Sequence, residues 1–210
     1  MGFPVYDYRI DVRNVLVTPQ IRSRFLRMEP GEESGGHSHD LGHEVFLILQ
    51  GRAEFTIEGE TEELGPGEMC VALVDQFHSL RVIGDEPMTM YLSVTPHIQP
   101  THTMRDDRGR NLPHRFTPSS TYGVETDTTP IPDILSKLSD ATRSVATAAN
   151  DALAVQAEQT ETLAEALSRG DEDAASDART SIWDALMPVF AQTAELASLW
   201  NDVAPRAGRT

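Results

Sequence analysis

Hydrophobic and polar positions divide the chain into three stretches with different periodicities. Residues 5–95 contain short apolar runs that are separated by glycine, proline and aspartate. Such spacing predicts short, closely connected β-strands in a sandwich or barrel. The predicted strands are 11–18, 22–28, 45–49, 53–57, 69–74, 79–83 and 88–94.

The rest of the chain lacks this alternation. Residues 101–130 show no period, which predicts a linker or a long arm packed on the barrel. Residues 131–205 are rich in alanine and predict a hairpin of two helices, with Gly170 just past the end of the first helix and Asp171 capping the second. We therefore expect a barrel over residues 1–100, a linker or arm over 101–130, and a helical hairpin over 131–205.

Each predicted helix carries an apolar stripe at alternating steps of three and four. The first stripe consists of Leu135, Leu138, Val145, Ala149, Ala152, Leu163 and Ala166, interrupted by Thr142, Gln156 and Gln159. The second consists of Ile182, Leu186, Val189, Leu196, Trp200 and Val203, with Thr193 filling the gap before Leu196. The second stripe is more apolar than the first can cover, so we expect the hairpin to pack against a second copy in a homodimer. A barrel closed on itself is expected to offer little apolar outer surface instead.

Charge and composition narrow the classes of partner. The formal net charge is −16, and an acidic surface repels phosphate, so we expect binding neither to nucleic acid nor to membranes. The single cysteine, Cys70, permits no intramolecular disulfide bond. No apolar run approaches the ~20 residues that a membrane-spanning helix requires. The expected location is cytoplasmic.

The stretch 31–51 carries the residue types most often found in metal sites. It reads Gly31-x5-His37-x-His39-x4-Glu44-x6-Gly51. Three potential ligands thus fall within eight residues, and His37 and His39 point to the same face of an extended segment because they are two apart. Glu44 directly precedes an apolar run, 45–49, that predicts a buried strand.

This spacing resembles the first conserved motif of the cupin superfamily. The second cupin motif is a Gly, five residues, Pro, one residue, Gly, two residues, His, three residues and Asn. At those offsets this chain has Gly67, Leu73, Asp75, His78 and Val82. The glycine and the histidine match, whereas the other three positions, which shape a turn and a strand, do not. The resemblance covers residues 10–95, and the 15 residues between the motifs suit a cupin hairpin.

The resemblance implies a mainly β fold, a jelly-roll-type cupin β-barrel, in which His37, His39, Glu44 and His78 point inward onto one divalent metal ion. Imidazole and carboxylate ligands together suit Fe, Mn, Ni, Co, Zn or Cu, and the sequence does not choose among them. Such a ligand set leaves one or two coordination positions open for a substrate or water. The alternative is a degenerate cupin that uses its pocket without a metal.

The expected function is that of a metal-dependent enzyme of the oxygenase type, acting on a small molecule bound at the metal. Glu44 is then both a ligand and a candidate proton acceptor. A metal-dependent lyase or isomerase, and a non-catalytic cupin that binds or senses a small ligand, are the alternatives. The four ligands serve all three functions equally, so the motif alone does not separate them.

Several neighbours of the motif have two interpretations each. Phe46 and Ile48 share a strand face with Glu44 and are expected to line the cavity. His43 lies on the opposite face and is expected to point away from the metal. Three histidines follow the last predicted strand, and we favour polar loop positions for them over contact with a substrate. They are His97, His102 and His114.

Overall fold

The computed structural model describes residues 2–106 and 108–208, and within them it has ten β-strands followed by two long helices. The strands are β1 Asn14–Val17, β2 Arg22–Met28, β3 Glu33–Ser38, β4 His43–Gln50, β5 Arg52–Ile57, β6 Glu60–Leu64, β7 Met69–Ala72, β8 His78–Ile83, β9 Met88–Thr95 and β10 Thr103–Met104. The helices are α1 Ile131–Arg169 and α2 Glu172–Val203. The predicted fold, an antiparallel β-barrel followed by a helical hairpin, is confirmed.

The strands form two five-stranded antiparallel sheets. The first has the order β1-β2-β9-β4-β7 and the second the order β10-β3-β8-β5-β6. Strands far apart in sequence are neighbours in both sheets, as in a jelly roll, because β9 lies between β2 and β4, and β8 between β3 and β5. This arrangement brings the two motifs of the sequence together in space.

The core lies between the inner faces of the two sheets. In β4, buried positions alternate with more exposed ones from Glu44 to Ile48, as a strand with one buried face requires. Met88, Met90 and Leu92 of β9 are buried in the same core. From the second sheet, Phe55 and Leu80 join the same cluster. Burial of these side chains stabilises the barrel by about 1.5–3 kcal/mol for each large residue.

Gly51 closes the hairpin between β4 and β5 in a conformation that other residues rarely adopt. Its φ is 71°, and a Cβ atom at this position would lie 2.5 Å from the carbonyl oxygen of Pro87 and 2.8 Å from Cα of Met88. The turn can therefore pass this close to the start of β9 only because residue 51 has no side chain.

Three strands were not predicted from the sequence. The segment of β3 is Glu-Ser-Gly-Gly-His-Ser and that of β6 is Glu-Thr-Glu-Glu-Leu, and neither has the apolar alternation of a half-buried strand. In β6 only the last residue, Leu64, is buried, because β6 is an edge strand of its sheet. The third missed strand, β10, has two residues and pairs with β3 through Thr103 and Met104.

The described residues divide into two compact units. One takes in the stretch up to Asp127 together with the residues from Ala204 onward, and the other is Thr128–Val203. Much of the segment between β9 and α1 is irregular, with a 3₁₀ turn at Ser119–Tyr122, but up to Asp127 it belongs to the same unit as the barrel. No helix in the described part of the chain is both long and apolar enough to cross a membrane.

The helical unit is a hairpin whose turn has the predicted chemistry. Gly170 ends α1 in the left-handed conformation, with φ 67°, and its amide bonds to carbonyl groups of the last helical turn. The side chain of Asp171 accepts a hydrogen bond of 3.1 Å from the amide of Ala174 and so caps α2. α2 includes Pro188 within its helical range.

The predicted stripe of α1 is partly wrong. Leu135 is 46% exposed and Ala149 is also exposed, whereas Ile134 and Ala141 are buried. The buried face of α1 begins one residue earlier than predicted, at Ile134. Because α1 contains many alanines, the contrast between apolar and polar positions is too small to show from the sequence which face is buried. The expectation of little apolar outer surface on the barrel is also wrong, since Met69 is 61% and Leu73 52% exposed.

Candidate metal centre

Four side chains converge where β3, β4 and β8 meet. His37 lies in β3, and His39 is the first residue after the end of that strand. Glu44 is the second residue of β4, and His78 is the first residue of β8. The Oε2 atom of Glu44 is 2.8 Å from Nε2 of His39, 3.0 Å from Nε2 of His78 and 3.6 Å from Nε2 of His37. One potential ligand atom from each residue lies within 4.8 Å of all the others. The structure thus brings together the four residues singled out in the sequence.

The three imidazoles are held through their Nδ1 atoms. Nδ1 of His37 donates to the carbonyl of Gly35 at 3.0 Å, and Nδ1 of His78 donates to the carbonyl of Gln76 at 2.9 Å. Nδ1 of His39 donates to the carbonyl of Thr101. A carbonyl oxygen can only accept, so each Nδ1 carries a hydrogen and each Nε2 is directed at Glu44, as a donor to the carboxylate when it carries a hydrogen and as a lone pair for a metal ion when it does not.

Glu44 is nearly inaccessible, with 3% of its surface exposed. Burial disfavours its charged form, but the interactions with His37, His39 and His78 outweigh this effect and hold the pKa of the carboxyl well below its usual range. The group is therefore an anion in the interior of the barrel. A second oxygen, Oε1, faces Nη2 of Arg22 at 3.8 Å.

This donor set fits a divalent metal ion. Three Nε2 lone pairs and one carboxylate oxygen face one another, and such a group of acceptors is stable only with added protons or with a shared cation. Nε2 of His37 is buried and makes no hydrogen bond. Imidazole nitrogen and carboxylate oxygen are ligands for first-row transition metals, and His37, His39, Glu44 and His78 could hold one such ion.

Two local features set the positions of these ligands. A Cβ atom on Gly36 would lie 2.4 Å from Cζ of Phe77, so the chain beside His37 can pass this ring only with a glycine or a displaced ring. Asp75 stands at the position of the second glycine of the second cupin motif, and it adopts the left-handed conformation with φ 63°. Its amide donates to the carbonyl of His39 at 3.0 Å. Aspartate tolerates this conformation, so the motif's turn is kept without the glycine.

His102 stands beside the four residues, although the sequence favoured a plain loop position for it. Its ring centroid is 4.7 Å from that of His37 and 4.9 Å from that of His39. Burial and the two neighbouring histidines lower the pKa of His102 far below its usual range. The cause of this placement is β10, which pairs with β3 directly after His102. A two-residue strand leaves no periodic signal in the sequence.

The other three histidines have different surroundings. His97 is 2% exposed, and its ring contacts the edge of Tyr122 at a centroid distance of 4.9 Å, so it is not a plain loop residue either. His114 is exposed, as expected for a loop. His43 is exposed and its Nδ1 accepts a hydrogen bond of 3.1 Å from the amide of Val74, away from the four converging side chains.

The two apolar residues that follow Glu44 on its face differ in their relation to the site. The ring of Phe46 packs against His78 at a centroid distance of 5.7 Å and against Phe55 at 5.1 Å. Ile48 is fully buried one step further along β4 and belongs to the hydrophobic core. Phe46 is therefore the apolar neighbour of the candidate ligands.

Two arginines on the inner face of β2 were also missed. Arg22 and Arg24 are paired in register with Val94 and Leu92 of β9, which in turn are paired with Glu44 and Phe46 of β4. Arg22 is 5% exposed and Arg24 is half-buried. The signal was present in the sequence, because residues 22, 24, 26 and 28 share one face of a predicted strand.

Comparison with known proteins gives one matching family model. Residues 24–95 match the model described as a cupin domain. A curated relative is the polyketide synthase CurC of Streptomyces cyaneus, which is 32% identical over 91 residues. The match covers 41% of this chain and 59% of the relative, so the chain spans less than two thirds of that protein.

Solved structures give weaker similarity. A conserved protein with a double-stranded β-helix domain from Klebsiella pneumoniae is 22% identical, with a TM-score of 0.46, and the match covers 50% of this chain and 100% of that one. The DMSP lyase DddQ of Ruegeria pomeroyi is 24% identical, with a TM-score of 0.38, and the match covers 41% of this chain and 44% of that one.

Proposed function

Because residues 24–95 form a cupin domain, which places the chain in the cupin superfamily, we propose that the protein is a metal-dependent enzyme acting on a small molecule. His37, His39, Glu44 and His78 would hold one divalent ion. The observation that carries the proposal is the orientation of the three imidazoles, whose Nδ1 atoms all donate to backbone carbonyls while their Nε2 atoms face one carboxylate oxygen.

The proposed reaction type is that of an oxygenase using Fe(II) or a similar ion. A bound ion of this kind supplies Lewis acidity and, if it is redox-active, a path for electrons to dioxygen. The chain's own residues supply orientation and exclusion of water. Phe46 covers one side of His78, and the buried carboxylate of Glu44 is both a ligand and the nearest candidate acceptor for a substrate proton.

A lyase or isomerase is the second candidate, and the placement of His102 favours it. Proton-transfer chemistry needs a polar group beside the metal ligands that is not itself occupied by the metal. His102 is such a group, and its Nδ1 lies 2.8 Å from the hydroxyl oxygen of Thr101. That contact fixes the ring in one orientation beside His37 and His39.

Two measurements test the proposal. Protein purified without added metal is analysed for its metal content, and we expect about one transition-metal ion per chain, lost in the variant His78→Ala. The metal-loaded protein is then incubated with an extract of small metabolites, with and without dioxygen, and the products are identified by mass spectrometry. A product that carries oxygen from labelled dioxygen supports the oxygenase, and one formed equally without dioxygen supports the lyase or isomerase. If the protein binds no metal ion, the proposal is wrong.

We also propose that the helical unit pairs with a second copy in a homodimer. α2 carries three large apolar side chains at steps of four and three, which are more than 45% exposed: Trp183, Met187 and Phe190. The rings of Trp183 and Phe190 are 6.3 Å apart and form one patch. An apolar patch of this kind on a helix is typical of a surface that another helix covers.

A further inference from the structure

The interior beside the candidate metal centre contains more positive than negative charge. The two arginines on the inner face of β2, Arg22 and Arg24, lie in register with Glu44 and Phe46 across β9. Among the described residues, Glu44 is the one buried carboxylate. A divalent cation bound to Glu44 would carry more positive charge than this one carboxylate can neutralise. Both guanidinium groups would then lack a counter-ion.

Arg22 is held in place, but its side chain makes no hydrogen bond to any residue that the structure describes. It is 5% exposed, and its Nε is buried without a hydrogen-bond partner. Its shortest contact with an acid is 3.8 Å from Nη2 to Oε1 of Glu44, which is too long for a hydrogen bond. The guanidinium lies over the ring of Tyr122, with 5.3 Å between its carbon and the ring centroid. A guanidinium has five N–H donors, and a buried one without acceptors is costly.

Arg24 adds to the same positive potential. Its Nε is likewise buried without a hydrogen-bond partner. Burial and the adjacent charge of Arg22 lower the pKa of Arg24, although an arginine remains charged in a protein. Two cations on one strand face, two residues apart, repel each other unless an anion lies near both.

A purely structural role as counter-ion of Glu44 does not account for this arrangement. Glu44 directs Oε2 to three imidazoles, and only Oε1 faces Arg22, without a hydrogen bond. One carboxylate also cannot balance two arginines. An arginine that serves as a structural partner of a carboxylate normally binds it through two short, parallel hydrogen bonds, which this pair lacks.

We propose that Arg22, with Arg24 beside it, forms an oxyanion subsite of the metal centre, and that the enzyme's substrate is a small anionic molecule. This inference rests on the proposed function and names the class of its substrate. The guanidinium fork binds the carboxylate or phosphate group of the substrate in the manner for which arginine is suited. Arg22 and the imidazoles face opposite oxygens of the same carboxylate, so the anionic group of the substrate is a close neighbour of its reacting atoms.

The test compares a charged probe with a neutral one of the same shape. Protein loaded with Zn(II) is titrated with acetate, acetamide and inorganic phosphate, and binding is followed by ligand-observed NMR. We expect acetate or phosphate to bind at least about tenfold more tightly than acetamide, which is about 1.4 kcal/mol. A preference for acetate identifies a carboxylate substrate and a preference for phosphate a phosphorylated one.

Substitutions in β2 test whether Arg22 causes the preference for the charged probe. In Arg22→Gln the charged and the neutral probe should bind about equally. In Arg22→Lys, which keeps the charge but loses the planar guanidinium group, the preference for the charged probe should be intermediate. The matched control is Arg27→Gln on the outer face of the same strand, where Arg27 contacts Glu29 and is about half exposed. It should retain the wild-type preference.

Zinc content and thermal unfolding are measured for every variant, so that the two proposals can fail separately. If the wild type binds no zinc, the metal proposal fails. If zinc is retained but acetate and acetamide bind equally, or if Arg22→Gln keeps the wild-type preference, the oxyanion subsite is refuted and the metal proposal stands. Should Arg22→Gln not fold, Arg22→Lys and Arg24→Gln decide the question by the same comparison.

Discussion

Replacing one histidine of the proposed metal centre tests it most directly, and His43 on β4 offers a matched control. His78 is 3% exposed, its Nε2 is 3.0 Å from Oε2 of Glu44, and its Nδ1 is tied to the backbone. His43 precedes Glu44 on β4 but is exposed and points away from the four converging side chains. We expect His78→Ala to weaken metal binding strongly and His43→Ala to leave it unchanged.

The size of the effect follows from ligand counting and linkage. A change outside the ligand set typically costs 10–100-fold in metal affinity, so the loss of one ligand in four should cost about 100-fold or more. At a free metal concentration of about 1,000 times the dissociation constant, the wild type gains about 4 kcal/mol of stability. A variant that binds 100-fold more weakly gains about 1.4 kcal/mol at the same concentration. The difference corresponds to roughly 10 °C in Tm for a unit of this size.

The assay is thermal unfolding of each protein with a chelator and with a fixed concentration of Zn(II). The rise in Tm on adding metal is compared, rather than Tm itself, because His78→Ala also removes packing against Phe46. We expect a large rise for the wild type and for His43→Ala, and a rise smaller by roughly 10 °C for His78→Ala. Equal rises in the two variants would refute the assignment of His78 as a ligand.

Three further outcomes are expected. Complete removal of metal by a chelator should lower Tm while leaving the β circular dichroism signal, and an unchanged Tm would show that the facing acceptors are tolerated without a cation. Burial, Arg22 and His39 lower the pKa of His97 to about 4. Between pH 6.5 and 4 the unfolded chain therefore binds a proton at this residue that the folded chain does not bind, so the free energy of unfolding falls on acidification. Denaturant unfolding at both pH values should show that His97→Gln loses less stability over this window than the wild type, by at most about 3 kcal/mol, and equal losses would contradict the shift. Light scattering should give the mass of a dimer for the full chain and a smaller mass after Trp183→Glu, whereas a monomeric wild type would exclude the homodimer.

The sequence identified the strands that contain apolar residues between clear turn residues. β2 and β9 were predicted to within one residue at each end, because both are short runs with apolar residues that are bounded by proline-containing turns. β3 and β6 were missed because their residues are polar, and they are strands only through pairing with β8 and β5. Pairing between distant segments overrides local propensity, which is a weak signal for strands.

The candidate site shows the same division between local and distant information. His37, His39 and Glu44 are close in sequence, and their spacing was sufficient to place them together. His78 was located only through the resemblance to a second motif. His102 was missed, because its position depends on a two-residue strand that pairs with β3, from which it is separated by six strands along the chain.

Arg22 shows why a metal-ligand motif alone does not identify a substrate. The motif specifies which atoms would bind the ion, and these atoms are the same for an oxygenase, a lyase or a binding protein. What distinguishes such proteins is the charge and shape of the barrel interior around the ligands. In this barrel part of that interior comes from β2, which lies in the same sheet as β4 but pairs with β9 and not with the strands of the motif. Its two inward arginines provide charge that the four proposed ligands do not need, and the Nε atoms of both are buried without a hydrogen-bond partner, which supports the proposal of an anionic group supplied from outside the chain.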